Sequence, residues 1–414
     1  MTMIWETAGA LARGVWRKTS AWRRSSMLMP GRRSLHISPQ SVQAVSLVQE
    51  SAVTGGTREA TARPAASVQG KEGELVKRIS RETAIWNRNN ITRTQAYWNL
   101  YQCYPELHWA LLAHMVSRNG GWYMTDLKGE WLPHLLPPET AETYYDVLET
   151  SNALIFRDVY PQLRIYTESR KAGRPLFHLH STFQISAFMQ PIWERFWACP
   201  QTDCTLLAVA LIVHEQNLIE QPVIQNPQFR DQVLTSSVFK ALPLLQTNQI
   251  VFPMLRPAGH RKRHLPLVGR VMERFADLDE RIATGKCLYG MLFGYPLVRQ
   301  GVMAFAGNHP HTGSRADYWP HRFRAKAPKA ADTVRGADGA ADHRWYSPAW
   351  AAAWQDRPLP DGPVQDWYAG ADRDRVQAWL ASPKPPRIFD MTSEHLLCQH
   401  KLQALTLLTR RRGE

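Results

Sequence analysis

The sequence predicts a mainly α protein, organised as a single multi-helix globular domain with at most a minor β element. Apolar residues recur at helical spacing in many segments, and residues that favour helix starts and ends flank those segments. Strand candidates are few, and we expect them only at residues 163–166, 175–179 and 250–255. Because helices and strands do not alternate regularly, the pattern disfavours a doubly wound sheet or a barrel.

The helices of the core are predicted from their flanking residues. Apolar residues at helical spacing predict a helix over residues 75–86, and Thr92 with Gln95 fits a capping box for the next one. Pro105 suits the first position of a third helix, which Asn119-Gly120-Gly121 is expected to end. Further helices are predicted at residues 139–150, 182–198, 205–220, 227–247, 268–283 and 391–409.

Composition divides the chain into four segments. Residues 1–72 hold basic and small polar residues without apolar periodicity, which predicts a disordered basic N-terminal extension. Its Arg-rich, acid-poor start superficially resembles a transit peptide. Residues 73–324 are expected to form the helical core domain, and residues 325–344 a flexible insertion or linker. Residues 345–414 are expected to pack on the core as a C-terminal segment that ends in a helix.

The charge and the cysteines of the chain indicate its type of partner and its compartment. The chain carries 50 Lys and Arg against 36 Asp and Glu, a formal net charge of +14, which favours an acidic partner. The five cysteines are odd in number and scattered, so they do not form a disulfide framework and suit a reducing compartment, the cytoplasm. The longest apolar run is far shorter than the roughly 20 residues that a transmembrane helix needs.

Four stretches of the chain resemble a known family. They are NITRT at 90–94 with Tyr97, HWALLAHMVSRNGGW at 108–122, LDERI at 278–282 with the following Gly285-Lys286 and Leu288-Tyr289, and HTGSRADYWP at 311–320. Together they resemble the YppC-like family of uncharacterised bacterial proteins, domain of unknown function 2515, over about residues 75–324 and more loosely 345–409. The resemblance implies a bacterial, cytoplasmic protein, and it brings no activity, cofactor or catalytic residue.

The helix predicted at 205–220 places polar groups on an apolar surface. It is apolar nearly all round, which predicts burial, and it carries His214 and Glu215. A buried carboxylate must find a cation or stay protonated, so Glu215 and His214 are candidate catalytic acid or base groups. The alternative is a structural ion pair, for which we expect Arg315 or Arg281 as the partner of Glu215.

His178 and His180 raise the question of a metal. On a strand both imidazoles would point to one face, where His214 or Glu215 could complete a ligand set. Two histidines at this spacing are weak evidence, and hydrogen-bonded histidines near a helix start explain them better. We therefore predict no metal and no cofactor.

The loop at 309–320 combines groups that often form a ligand site. Thr312, Ser314 and Arg315 could hold an anion, and His311 could act as acid or base. Loops dense in polar and aromatic residues often carry function. The alternative is a buried polar turn in which Arg315 pairs with Asp317 or Glu280.

A run of cations follows the predicted strand at 250–255. Arg261, Lys262 and Arg263, flanked by Arg256 and Arg270, could grip the phosphates of a polyanion. The alternative is a solvated loop, since no nucleic-acid-binding motif accompanies the run.

Two functions remain open on the sequence alone. The first is a non-enzymatic protein whose basic surface binds a polyanion, either nucleic acid or an anionic cell-envelope polymer. The second is an enzyme that acts on a small anionic substrate, in a pocket formed by the 309–320 loop and the 205–220 helix.

Overall fold

The computed structural model describes residues 14, 16–54, 69–227, 230–231, 248–256, 264–327, 343–357 and 365–413. Helices dominate these residues, which confirms the predicted mainly α fold. They are α1 (16–26), α2 (Pro39–Thr54), α3 (Gly70–Trp86), α4 (Asn90–Cys103), α5 (His108–Asp126), α6 (Pro138–Ala172), α7 (Met189–Ala198), α8 (Pro200–Leu218), α9 (Leu278–Gly294), α10 (Pro296–Asn308), α11 (Trp350–Ala353), α12 (Arg373–Trp379) and α13 (Thr392–Gly413). Short 3₁₀ segments lie at Leu132–His134, Phe177–Phe183, Arg315–Asp317 and Trp367–Gly370, and a π-helical turn at Glu220–Ile224.

The core is built around α5 and α8. Every residue from Leu206 to His214 is buried, as the continuous apolar run of α8 predicts. α4 packs on α5 as an antiparallel pair, and α7, α9 and α6 cover the remaining sides of α8. A helix apolar on all sides requires such enclosure, because each exposed face would leave apolar area in water.

The structure corrects two strand predictions. Residues 163–166 lie inside α6, which continues the helix predicted at 139–150 to Ala172 and contains Pro161. Residues 175–179 enter the 3₁₀ segment Phe177–Phe183 instead of a strand. Both errors have one cause, since a short apolar run does not distinguish a buried helical segment from a buried strand.

The β structure is limited to two small sheets in the described residues. β1 (Gln249–Pro253) confirms the strand predicted at 250–255 and pairs antiparallel with β2 (Leu267–Val271). The helix predicted over 268–283 is wrong in its first half: α9 begins only at Leu278, after the Asp277 cap. Gly269 permits the pairing, because a Cβ there would collide with the Ile250 carbonyl. β3 (Phe323–Arg324) and β4 (Trp345–Tyr346) form a parallel pair.

Two predicted helix boundaries shift for identifiable reasons. α4 is capped by Asn89 and Thr92, which bond reciprocally, so the capping box lies three residues before the predicted one. α5 continues through Asn119-Gly120-Gly121 to Asp126. A Cβ on Gly121 would lie 2.6 Å from His311 Nε2, so this glycine permits a close side-chain contact and does not end the helix.

The N-terminal segment differs from the disorder expected over 1–72. Residues 16–54 include α1 and α2, and they pack on distant parts of the chain. Arg24 Nε donates to Asp390 over 2.8 Å, and Gln49 Nε2 donates to the Phe188 carbonyl over 3.0 Å. The buried apolar residues of this segment, such as Ile37 and Val45, are too widely spaced to produce a helical periodicity in the sequence.

Several predictions lie outside the described residues. They are nearly all of the helix expected at 227–247, the middle of the linker expected at 325–344, and the cations Arg261, Lys262 and Arg263. Among the described residues, every helix is too short or too polar to span a membrane.

Candidate functional site

The 309–320 loop is a buried polar turn. Arg315 is buried and its guanidinium forms an ion pair with Asp126, in which Nη2 lies 2.6 Å from Oδ2. It also donates to the Tyr318 hydroxyl over 2.6 Å. The expected pairing of Arg315 with Asp317 or Glu280 is therefore wrong, because the chain supplies Asp126 from the end of α5. The close anions hold the pKa of Arg315 above its usual range despite burial.

The hydroxyls of the loop are also used within the protein. Thr312 Oγ1 donates to Asp317 over 2.6 Å, and Ser314 Oγ donates to the carbonyl of Ser347. The Gly313 carbonyl accepts from Thr125 over 2.6 Å, at a backbone φ of +86° that favours glycine. The side chains predicted to hold an anion therefore bond within the protein and fix the turn against α5 and the end of β4.

His311 is enclosed between α4 and α5. Its Nε2 lies 2.9 Å from Asn90 Oδ1, and its Nδ1 lies 3.5 Å from Asp317 Oδ2. Burial lowers the pKa of His311 to about 4, and Asp317 opposes that shift only partly. The imidazole is therefore neutral at pH 7.

His214 occupies a fully buried position on α8. Its Nε2 lies 2.6 Å from Asp158 Oδ1, and its Nδ1 accepts from Trp367 Nε1 over 3.0 Å. Both ring nitrogens are thereby engaged, so His214 anchors α6 and the 3₁₀ segment around Trp367 to α8. His180 is likewise buried, and desolvation lowers its pKa to about 3. Among the described residues, no group of three or more His, Cys, Asp or Glu side chains could hold a metal ion.

Glu215 has a different environment. Trp109 Nε1 donates to Oε2 over 3.0 Å, and Gln216 Nε2 donates to Oε1 over 3.3 Å. The arginine pairing expected for Glu215 is wrong: Arg281 pairs with Glu220, and Arg315 pairs with Asp126. Desolvation raises the pKa of Glu215 to about 8, because only neutral donors compensate its charge.

The exposed part of Glu215 faces a cavity of about 100 Å³ between α4, α5, α8 and α9. Tyr97 and Trp109 form part of its wall, with their rings edge to face at 5.3 Å. Aliphatic side chains and the polar groups of Ser117 and Asn152 complete the lining. The cavity combines apolar walls with a few convergent polar groups, as ligand sites do.

The two regions proposed to form one pocket lie beside each other but remain separate. The residues that line the Glu215 cavity include none from 309–320. Asn90 connects the regions, because it contacts His311 and donates to the Ser117 carbonyl over 2.9 Å. His311 itself does not reach the cavity lining.

Sequence reasoning missed most of the cavity. Arg93, Tyr97 and Trp109 line it from α4 and α5 but had no role in the predicted site. A signal existed for Arg93, a cation placed between apolar positions of a helix, which requires a buried carboxylate. That carboxylate is Glu149, at 2.5 Å from the guanidinium.

Several cations lie near the point where the described chain resumes within the run of cations at 256–270, which we call the basic block. The His264 ring lies 4.1 Å from that of His321, and Trp319 Nε1 donates to the Leu265 carbonyl over 2.9 Å. The parallel pairing of β3 with β4 then brings residues 322–324 beside 344–346. We call Arg322, Arg324, Lys326 and Arg344 the basic face.

Comparison with known proteins identifies the family. Residues 86–385 match the family described as protein of unknown function (DUF2515). The chain is also 40% identical over 244 residues to "Uncharacterized protein YppC" of Bacillus subtilis (strain 168), which covers 59% of this chain and 73% of that protein. No solved structure matches the chain. The family match spans α4 to α12 and includes the cavity and the basic face, so the chain belongs to the DUF2515 family.

Proposed function

We propose that this protein binds a polyanion, with nucleic acid as the first candidate, through the basic face and the adjoining basic block. The observation that carries the proposal is the contact of His264 with His321, because His264 directly follows the cations 261–263 in the sequence and His321 directly precedes Arg322.

The cations of the basic face flank a buried aromatic pair. Phe323 and Trp345 are buried, and their rings lie edge to face at 5.5 Å. Successive side chains of a strand alternate between faces, so Arg324 follows Phe323 on the opposite face of β3. Arg344 is exposed, and Arg322 and Arg324 are partly exposed.

Chain connectivity adds three further cations. Arg261, Lys262 and Arg263 immediately precede His264 in the sequence. Cations of a basic surface attract phosphates chiefly by releasing bound counterions, which makes binding salt-dependent and insensitive to sequence.

The cytoplasm is the compartment that fits this proposal best. All five cysteines are free thiols, which suits a reducing environment, and nucleic acid is abundant there. An anionic envelope polymer remains the competing polyanion.

Salt-dependent binding tests the proposal. We expect labelled DNA of about 20 nucleotides to bind weakly, with the slope of log affinity against log salt reduced by about 0.7–0.9 for each phosphate contact removed. The variant Arg322→Gln/Arg324→Gln/Arg344→Gln should lose both affinity and slope, as measured by fluorescence anisotropy.

The matched control is Lys71→Gln/Lys77→Gln/Lys171→Gln, which removes the same charge from exposed positions of α3 and α6. An equal loss in this control would leave only a net-charge effect and contradict the proposed surface. A phosphate-free polyanion such as polyglutamate separates general polyanion binding from phosphate recognition. Absence of DNA binding at low salt would refute the nucleic-acid proposal.

A further inference from the structure

We propose that the cavity beside Glu215 binds a small organic cation, of the size of a short primary alkylammonium ion, with the Glu215 carboxylate as its counter-charge. This binding site is independent of the polyanion surface.

The first argument is the missing counter-charge. Glu215 receives hydrogen bonds only from the neutral groups of Trp109 and Gln216, at 3.0 and 3.3 Å. A carboxylate enclosed in protein normally has a cation partner, because burying an unpaired charge is costly. The site therefore has room for one positive charge that the described part of the chain does not supply.

The neighbouring arginines cannot fill this role, since each is already neutralised. Arg281 forms an ion pair with Glu220, and its remaining donors bond to Gln216 and to the Phe275 carbonyl. Arg93 lies 2.5 Å from Glu149, and both side chains are buried. These two pairs leave Glu215 as the carboxyl in the cavity lining that has no counter-charge when it ionises.

The same pairing argues against an anionic ligand. A small acid would need one of the guanidiniums, and binding it would break a buried ion pair and strand the other carboxylate. It would also meet repulsion from Glu215 at any pH at which that carboxyl is ionised. The cavity therefore favours a cation over the small anion expected from the sequence.

The lining of the cavity suits both the ammonium group and the alkyl chain of such a ligand. The rings of Tyr97 and Trp109 line the cavity next to the carboxylate, and aromatic rings attract ammonium groups. Leu112, Val116 and Leu288 provide apolar contacts for an alkyl chain.

The volume limits the ligand to a few heavy atoms. An engineered cavity of about 150 Å³ holds benzene, which has six heavy atoms. A cavity of about 100 Å³ therefore suits about four, the size of propylammonium.

Binding should be linked to proton release. Burial raises the pKa of Glu215 to about 8, so the carboxyl is mostly protonated at pH 7 and must ionise to pair with the ligand. At a pH below this pKa, each rise of one pH unit increases the ionised fraction of Glu215 about tenfold. The affinity for the cation should therefore rise by about the same factor per pH unit, up to about pH 8. An alkylammonium keeps its charge there, as lysine does with a pKa of about 10.4.

The experiment uses the full chain with propylammonium as the probe. We expect a rise in Tm at millimolar concentrations that grows from pH 6 to pH 8. Calorimetry in two buffers of different ionisation enthalpy should show proton release at pH 7. The neutral analogue 1-propanol and the anion propionate should give at least tenfold weaker binding.

Variants locate the site. Glu215→Gln should abolish propylammonium binding, whereas Glu74→Gln, the same change at an exposed position, should leave it unchanged. Val116→Phe should abolish binding by filling the cavity, and it serves as a second test if Glu215→Gln unfolds.

Equal binding of 1-propanol, tighter binding of propionate, or retained affinity in folded Glu215→Gln would each overturn the proposal. So would the absence of any Tm shift in the native chain at about 100 mM propylammonium and pH 8. DNA binding by the basic face should be unaffected by Glu215→Gln, so the two proposals fail separately.

Discussion

The 309–320 loop and the Glu215 cavity are both rich in polar groups, yet they differ in how their charges are compensated. In the loop, the Arg315 guanidinium forms an ion pair with Asp126, and the Thr312 hydroxyl donates a hydrogen bond to Asp317. In the cavity, the Glu215 carboxyl accepts hydrogen bonds only from the neutral donors of Trp109 and Gln216. The loop therefore stabilises the fold, whereas the Glu215 carboxyl of the cavity has no cation partner among the described residues.

This difference shows that polar density along the sequence is a poor indicator of a binding site. The loop has the denser polar sequence, but neighbouring elements satisfy its side chains. Glu215 stands in an apolar helix and gives a weaker sequence signal, but its charge is uncompensated. The three predictions that follow test this contrast.

The largest expected effect is the loss of the Arg315 ion pair. Arg315→Leu should destabilise the protein by up to about 3 kcal/mol, because it strands the partly buried Asp126 carboxylate. Chemical denaturation at pH 7 measures the change. Arg322→Leu on the basic face is the control, and it should change the free energy of unfolding by less than about 0.5 kcal/mol. A similarly small effect at Arg315 would contradict the structural role of the loop.

The second prediction concerns the pH dependence caused by Glu215. The pKa of its carboxyl rises from 4.5 in the unfolded chain to about 8 in the folded protein. Below pH 4.5 both states are protonated and Glu215 costs nothing. Between these values only the unfolded chain ionises, so stability falls by up to about 1.4 kcal/mol per pH unit. Glu215→Gln should remove this loss and become the more stable protein at about pH 8.

Denaturation of both proteins across this range checks the sign. A pH-independent difference between native and Glu215→Gln protein would show that Glu215 has an ordinary pKa. A strong destabilisation by Glu215→Gln at every pH would indicate a hidden cation partner.

The smallest effect is expected at His311, with the opposite sign in pH. Burial lowers its pKa from 6.5 to about 4, so its contribution is fully present above pH 6.5. It is lost as the pH falls towards 4, because the unfolded chain takes up the proton first. His311→Gln should therefore show a shallower acid destabilisation than the native protein, in a denaturation series from pH 7 to pH 4. An unchanged slope would show that His311 is accessible to protons in the folded state.

The sequence by itself determined the fold class, the burial of α8 and the family. Helical periodicity is a local property, so the apolar run from Leu206 to Val213 predicts a buried helix without knowledge of its neighbours. The same information could not distinguish residues 163–166 from a strand, because so short a segment with three apolar residues fits both structures.

The tertiary structure alone decided which polar groups meet. Trp109 and Glu215 are 106 residues apart, and Arg315 and Asp126 are 189 residues apart. The sequence showed that Glu215 lies on an apolar helix and that arginines are available as its partner. In the structure, however, both expected partners, Arg281 and Arg315, form ion pairs with other carboxylates. Pairing depends on distances set by the packing of α5, α8 and α9, and no local pattern encodes those distances.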